Sequence, residues 1–285
     1  MTAHLTAINR FPVKSCRGES LGAVVVEPWG LAGDRRWMIV DEDGEVVTAR
    51  EANRLVLVDP EITADGLRLT APDLPPLVVP TPDPADQVPV SIWGSRLTAA
   101  AAGPEADAWF SKAAGLPARL VHLDDPRKRT TSPAFSEPTD RVSFADGYPL
   151  LVATEESLAA LNDVVLASSP TEREPLPMTR FRPNVVVAGV APWVEDDWRR
   201  IRIGDAVFRA VKGCARCVLT TIDPDTADRG KEPIASLAKI RRWDGATWFG
   251  VNLVPDTPGA TIRVGDEVEV LDEVPSGGGP IRPAR

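Results

Sequence analysis

Positive charge is in short supply. Lys and Arg number 32 against 41 Asp and Glu, giving a net charge of −9. A chain of that sign is repelled by a phosphate backbone and by an anionic membrane surface, so nucleic acid and membrane are excluded as expected partners. Cysteine is scarcer still. Three thiols, an odd count, imply no disulfide framework and fit a reducing, cytoplasmic compartment. With only two histidines, a structural zinc site would have to gather scattered single residues, among them Cys16, His4 and His122. No run of roughly 18 apolar residues occurs, so no helix is expected to span a membrane. Met1 to Phe11 has no apolar stretch of signal-peptide length, and the chain is read as starting directly at its first domain. Tyrosine occurs once, whereas there are 28 Pro and 21 Gly, a balance that predicts many turns and short strands.

What is present suits an ordinary globular protein of two domains: 285 residues, 43% hydrophobic and 26% charged. The first half reads as mainly β. Strands are predicted over residues 5–13, 23–27, 38–41, 45–48, 55–59, 66–70, 90–97 and 119–123, with irregular, exposed chain over 71–89. A helix is predicted over 103–115, with Pro104 near its start and Gly115 past its end. The second half predicts a strand at 150–153, a helix from a Thr154 cap to Val165, a short helix near 233–240, and closing strands at 248–253 and 262–271. Residues 272–285 are rich in Gly and Pro and read as a flexible tail.

Three short stretches carry candidate chemistry. Lys14 and Ser15, beside Gly18, offer a point charge, a hydroxyl and exposed backbone N–H groups, a natural seat for a phosphate; a solvated loop is the plain alternative. Arg182 and Asn184 pair a charged fork with an amide, the groups that read a phosphate or a heterocycle edge; a turn entering a strand is the alternative. Cys214 and Cys217 flank Arg216. The β-branched run Val218–Ile222 that follows predicts a strand, and Asp223-Pro224-Asp225-Thr226 a turn. A helix N-terminus would favour a redox dithiol, and further ligands would favour zinc. Buried inert thiols, or a single thiolate on a soft metal with the arginine serving an anionic cofactor, also remain open. The basic run Arg127-Lys128-Arg129 reads equally as a solvated linker or as an anion-attracting lip.

The stretch G-C-A-R-C-V-L-T-T-I-D-P-D-T, residues 213–226, resembles the signature of MOSC-domain molybdenum-cofactor proteins, in the branch that contains the mitochondrial amidoxime-reducing component and its bacterial relatives. P-V-K-S-C-R-G (12–18), G-D-R-R-W-M-I-V (33–40) and R-F-R-P-N-V-V-V (180–187) are similar to further motifs of that family, and the likeness runs over about residues 5–271. It implies a mainly β fold with peripheral helices: an N-terminal β-rich domain (1–125) packed on a MOSC β-barrel domain (126–272), then the tail (273–285). It implies molybdenum ligation by Cys217, with Cys214 given no such role. Cofactor binding falls to Lys14, Ser15, Arg35, Arg182, Asn184 and Arg216. The loop Asp146–Tyr148 is expected to approach the cofactor.

The implied activity is reduction of small N-hydroxylated or N-oxygenated compounds by a molybdenum–molybdopterin center. The chain ends before any ferredoxin domain and lacks four cluster cysteines, so a separate ferredoxin or flavin reductase is expected to supply electrons. Asp223 and Asp225 are the nearest candidates for a proton donor. The alternative the resemblance carries is a cofactor or sulfur carrier without turnover. The family's cofactor sulfurases pair this domain with a pyridoxal phosphate-dependent one, which this chain lacks.

Overall fold

Residues 2–169 and 173–275 of the protein are described by a computed structural model. The chain opens with β1 (His4–Arg10), which buries Leu5 and Ile8. Then follow β2 (Glu19–Leu21), β3 (Ala23–Glu27), β4 (Gly30–Leu31) and β5 (Trp37–Val40). In β3 the buried Val24 and Val26 alternate with exposed neighbours, as the two-residue period of a strand requires. The strand expected at 55–59 is instead a 3₁₀ turn, Asn53–Leu57, and the hairpin is shifted to β6 (Asp59–Thr63) and β7 (Gly66–Ala71).

The stretch read as irregular contains β8 (Leu74–Pro80), which pairs with β7. Its prolines are tolerated because β8 is an edge strand and needs no second ladder of donors. What reads as one strand at 90–97 is a hairpin of β9 (Gln87–Ile92) and β10 (Ser95–Ala101), turning at Trp93-Gly94. Helix α1 (Pro104–Ala114) has its Pro at the start and a left-handed Gly115 past its end, and β11 (Arg119–His122) follows.

The second half holds β12 (Leu150–Thr154), α2 (Glu155–Ser168), β13 (Val185–Ala188), β14 (Trp198–Ile203), β15 (Ala206–Ala215), α3 (Ile234–Ile240), β16 (Arg242–Trp243), β17 (Ala246–Pro255), β18 (Thr261–Arg263) and β19 (Val268–Glu273). Thr154 caps α2 through its hydroxyl, which accepts from Ser157 N at 3.1 Å. Of the expected tail, Glu273 closes β19, and residues 276–285 lie outside the described residues. The fold is thus mainly β with helices against its sheets. No described helix is long and apolar enough to cross a membrane.

The largest sheet has nine strands, in the order β19-β14-β15-β17-β12-β13-β1-β2, with β16 on β17. The first strand of the chain therefore lies within the sheet of the second half, with Ile8 opposite Val185. Two cores result. One gathers Trp37, Leu55, Leu69, Phe110 and Leu120; the other gathers Leu5, Ile8, Val152, Val185, Phe208 and Leu253. Because Leu5, Ile8, Val24, Val26 and Leu31 belong to the second core, no single cut in the chain separates the two.

Candidate functional site

The register between β15 and β17 shifts twice, between Ala210 and Lys212 and between Gly213 and Ala215. Cys214 thus sits in an irregular strand end, where bulges re-aim side chains. Arg216 follows, its backbone N–H donating to Thr247 O at 2.8 Å. The strand expected at 218–222 is not formed. Val218–Thr221 is a single 3₁₀ turn with Cys217 at its N-cap. The threonines explain the difference: Thr220 and Thr221 hydroxyls donate to the carbonyls of Cys217 (3.0 Å) and Val218 (2.8 Å), a local bonding that competes with a ladder. Ile222, just beyond, is drawn into the first core.

Lys14, Ser15, Arg35, Arg182, Asn184, Arg216 and Cys217, far apart in sequence, all line one cleft where the two cores meet. β1 delivers Lys14 and Ser15 just beyond its end; β13, its antiparallel neighbour, is entered through Arg182 and Asn184. Ser15, Arg35 and Arg182 have φ of 71°, 48° and 55°, the left-handed region that side chains other than glycine rarely adopt. Strain of this kind, of order 1–3 kcal/mol each, persists where surrounding structure enforces it.

Asn184 is the strut of the cleft. Its Oδ1 accepts from Arg35 Nη1 (3.1 Å) and from Leu151 N (3.2 Å), and its Nδ2 donates to Asn9 O (3.2 Å). The structure gives this amide the work of fixing Arg35, which also pairs with the buried Asp34 at 2.5 Å. Arg35 and Arg182 both pack their guanidinium groups over Phe11, at 4.4 and 4.2 Å from the ring centroid. Arg216 Nη2 donates to Phe181 O at 2.7 Å, and its Nη1 lies 2.8 Å from Cys214 Sγ. Cys214 therefore holds the arginine, and it lines the cleft together with Cys217, the residue that follows Arg216.

Arg50 and Asp146 also line the cleft, with apolar side chains such as Tyr148, Leu150 and Phe181. Lys14 Nζ donates to Phe144 O (2.9 Å) and to Asp146 Oδ1 (2.5 Å), and Arg50 reaches Asp146 Oδ2 at 3.5 Å. Burial pulls the Lys14 ammonium down to about 8, against the pull of Asp146 in the other direction. Burial and the Arg35 charge push the Arg182 guanidinium down as well. Asp146 lies well below the usual carboxylate range because the Lys14 charge and hydrogen bond outweigh its desolvation. The cleft thus sets five cations (Lys14, Arg35, Arg50, Arg182, Arg216) against one carboxylate, in a chain of net charge −9. Arg182 Nη2 and Arg216 Nε are buried without a hydrogen-bond partner among the described residues. Such an excess of desolvated donors could accept an anion.

Other sequence expectations resolve differently. Arg129 is buried and donates to the carbonyls of Ser143 (2.5 Å), Ala145 (2.5 Å) and Asp146 (3.1 Å), so it props the 143–146 loop from below and forms no lip. Arg127 and Lys128 pair with Asp125 and Asp124. Asp223 accepts from Arg180 (2.9 Å) and from the backbone of Asp225 and Thr226; Asp225 pairs with Arg17. Neither aspartate lines the cleft with Cys217, and both are turn residues. Cys16 lies in the first core, its thiol pushed up to about 12 by burial. Arg50 was not singled out from the sequence: it follows the 45–48 segment as one more surface-type arginine, and only the fold brings it to Asp146. No three His, Cys, Asp or Glu side chains gather to hold a metal ion among the described residues.

Comparison with known proteins matches two family models to the chain. The family described as MOSC N-terminal beta barrel domain matches residues 2–117, and the MOSC domain family matches residues 139–269. Mitochondrial amidoxime-reducing component 1 of Mus musculus is 35% identical over 283 residues, which span 92% of this chain and 81% of that protein. Its Homo sapiens counterpart is 33% identical over 282 residues, with the same coverage of 92% and 81%. The molybdenum cofactor sulfurase of Oryza sativa subsp. japonica is 30% identical over 273 residues, 88% of this chain and 32% of that larger protein.

Proposed function

We propose, since the chain belongs to the MOSC domain family, that its cleft holds the molybdenum cofactor and that the protein reduces N-hydroxylated compounds. The observation that carries this reading is the convergence of five cations and one carboxylate around a half-buried thiol, Cys217. The donor set fits the group. Cys217 and Cys214 with no third ligand among the described residues are too few to hold a bare metal ion, but one thiolate can complete a metal that arrives with its own organic ligands. The unpaired guanidinium N–H groups of Arg182 and Arg216 fit a ligand rich in acceptors.

In this reading Lys14 and Ser15 seat the phosphate, Arg35 and Arg182 neutralise it, and Asn184 holds Arg35 in place. Arg216 is kept beside the metal position by Phe181 O and Cys214. The bound cofactor supplies two-electron chemistry in which the substrate N–O oxygen leaves as water. Electrons come from a separate ferredoxin or flavin reductase.

The test is metal content and turnover of protein made with molybdate in a cofactor-competent host. Wild type is expected to hold molybdenum near one per chain and to oxidise reduced viologen with an N-hydroxy compound. Cys217→Ser is expected to lose both the metal and the activity. Molybdenum retained at full activity in Cys217→Ser would refute the ligand assignment. The similarity to a molybdenum cofactor sulfurase favours a second reading, a carrier; stoichiometric molybdenum with no N-hydroxy compound turned over would support it.

A further inference from the structure

The 3₁₀ turn that follows Cys217 opens on solvent. Val218, its first residue, is 39% exposed, and the turn packs against α3, whose last residue, Ile240, is 41% exposed. α3 in turn meets the β16–β17 hairpin, where the rings of Trp243 and Trp248 lie 21° from parallel with centroids 6.3 Å apart. Both indoles are half-buried, and Trp248 Nε1 donates to Trp243 O at 2.9 Å, which ties the two strands of the hairpin together. Charge surrounds these apolar groups. Over residues 231–248 the exposed charged side chains are Lys231, Lys239 and Arg242 against Asp244 alone, in a chain of net charge −9. The hairpin is also joined to the thiol. Thr247 O accepts from Arg216 N at 2.8 Å, and Thr247 Oγ1 donates to Arg216 O at 3.4 Å. Thr247 is bonded to Trp248 and Arg216 to Cys217, so a single hydrogen bond links the peptide unit of Trp248 to the residue before the thiol.

We infer that this face, made by the turn at Val218, the end of α3 and the β16–β17 hairpin, is the docking surface for an acidic electron-carrier protein. The inference rests on the reductase reading, which requires a protein donor, and adds the place and the charge of that donor. A redox encounter uses a small interface, with a modest apolar center and complementary charge around it. Val218 and Ile240 supply the apolar center, and Lys239 and Arg242 supply charge beside it. An acidic partner is repelled by the chain as a whole, so a local basic face sets its orientation as well as its attraction. Bound there, the carrier lies over the segment that leads by one hydrogen bond to Arg216 and so to Cys217. Two one-electron carriers balance the reaction. Each is oxidised by one electron, and the two electrons with two protons from solvent convert an N–OH group to N–H and release one water.

The probe is a plant-type ferredoxin, an acidic one-electron carrier. Its oxidised form is titrated into the cofactor-loaded protein by calorimetry at low and at high salt. Turnover of an N-hydroxy compound is measured in parallel with reduced ferredoxin and with reduced viologen, a small donor that needs no docking face. Wild type is expected to bind ferredoxin more tightly at low salt. The double variant Lys239→Glu, Arg242→Glu should bind it roughly tenfold more weakly there and turn over more slowly at limiting ferredoxin, yet match wild type with viologen. Ile240→Ser should lose affinity at both salt concentrations. Unchanged ferredoxin affinity in the double variant overturns the proposal. So does a wild type that binds no ferredoxin, or a viologen-driven rate that falls as far as the ferredoxin-driven one, which would mark the two cations as supports of the cleft. Absence of viologen-driven turnover in wild type would instead overturn the reductase reading, and the ferredoxin titrations would still decide the docking face.

Discussion

Raising the pH from 7 to 9 should weaken anion binding to the cleft through one residue, Lys14. Its side chain is buried, and the cost of keeping a charge out of water brings its ammonium down to about 8 from an ordinary 10.5. At pH 7 it is therefore about nine-tenths charged, and at pH 9 about one-tenth. An anion that needs the charged form must restore the proton when it binds, which weakens the apparent affinity about tenfold across that interval, or about 1.4 kcal/mol. Between pH 6 and 7 the affinity should be flat. Arg182, which burial also draws down, is present in wild type and in Lys14→Gln alike, so any slope it adds is common to both and the comparison isolates Lys14. Asp146 competes for the same ammonium, but its side chain is 64% exposed, so solvent screens that pair and a dianion can displace it. Sulfate, which does not titrate in this range, is the probe. Calorimetric titration of cofactor-free protein at constant ionic strength reads the effect. Wild type should show the bend near pH 8, and Lys14→Gln should bind more weakly at pH 7 with no bend. A wild-type affinity that does not change between pH 7 and 9, or an equal fall in Lys14→Gln, would refute the assignment of Lys14 as the titrating group of the anion seat.

Other expectations concern stability. Glu195 is 1% exposed and accepts from Ser157 Oγ (2.8 Å) and Thr154 Oγ1 (3.3 Å); burial pushes its carboxyl up to about 7 from 4.5. A raised carboxyl contributes stability below about pH 4.5 that is lost as pH rises through about 7, here up to about 3 kcal/mol. His122, drawn down to about 4 by burial and the Arg36 charge, has the opposite sign, losing stability as pH falls from 6.5 through 4. Urea midpoints of wild type and Glu195→Gln at pH 5 and 7.5 isolate the first effect, since His122 is common to both; parallel pH curves would refute it. Gly250 has φ of 75°, and a Cβ there would come within 2.6 Å of Val152 O on the neighbouring strand. Gly250→Ala should cost about 2 kcal/mol or more, seen as a melting temperature lower by several degrees; a variant that melts with wild type would show that β12 and β17 yield freely.

Several elements were legible because their cues are local. Pro104 and Gly115 bracket α1, Thr154 announces α2, and the alternation in Ala23–Glu27 marks a strand. The run Val218–Ile222 misled because β-branched residues state a preference for extended chain that hydroxyl back-bonding and the pull of Ile222 into a core override. β8 was missed because its prolines forbid only a central strand, and whether a strand is an edge is not written in its own residues. Of the cleft, the motif arginines and Cys217 could be named from resemblance. Arg50 could not, since its role depends on Asp146, which is distant from it in the chain. Nor does sequence distinguish Arg129, a buried prop, from its exposed neighbours Arg127 and Lys128.

The backbone at Ser15, Arg35 and Arg182 connects these observations. Each is a non-glycine residue in the left-handed region, and each is where a strand or turn hands the chain into the cleft. Glycine would relieve the strain, but glycine carries neither hydroxyl nor charge. Holding such residues there requires packing on both sides, and the topology supplies it. β1 is pinned between β13 and β2 in the larger sheet, while Val13, Cys16 and Trp37 are buried in the other core. Lys14 and Ser15 are thus held from the two bodies at once, and Arg35 is tied across to Asn184. The crossing of β1 into the second half's sheet is then a condition of the site. Two independently closed domains meeting at a linker would leave these three backbones free to relax, and the cations would drift apart under their own repulsion.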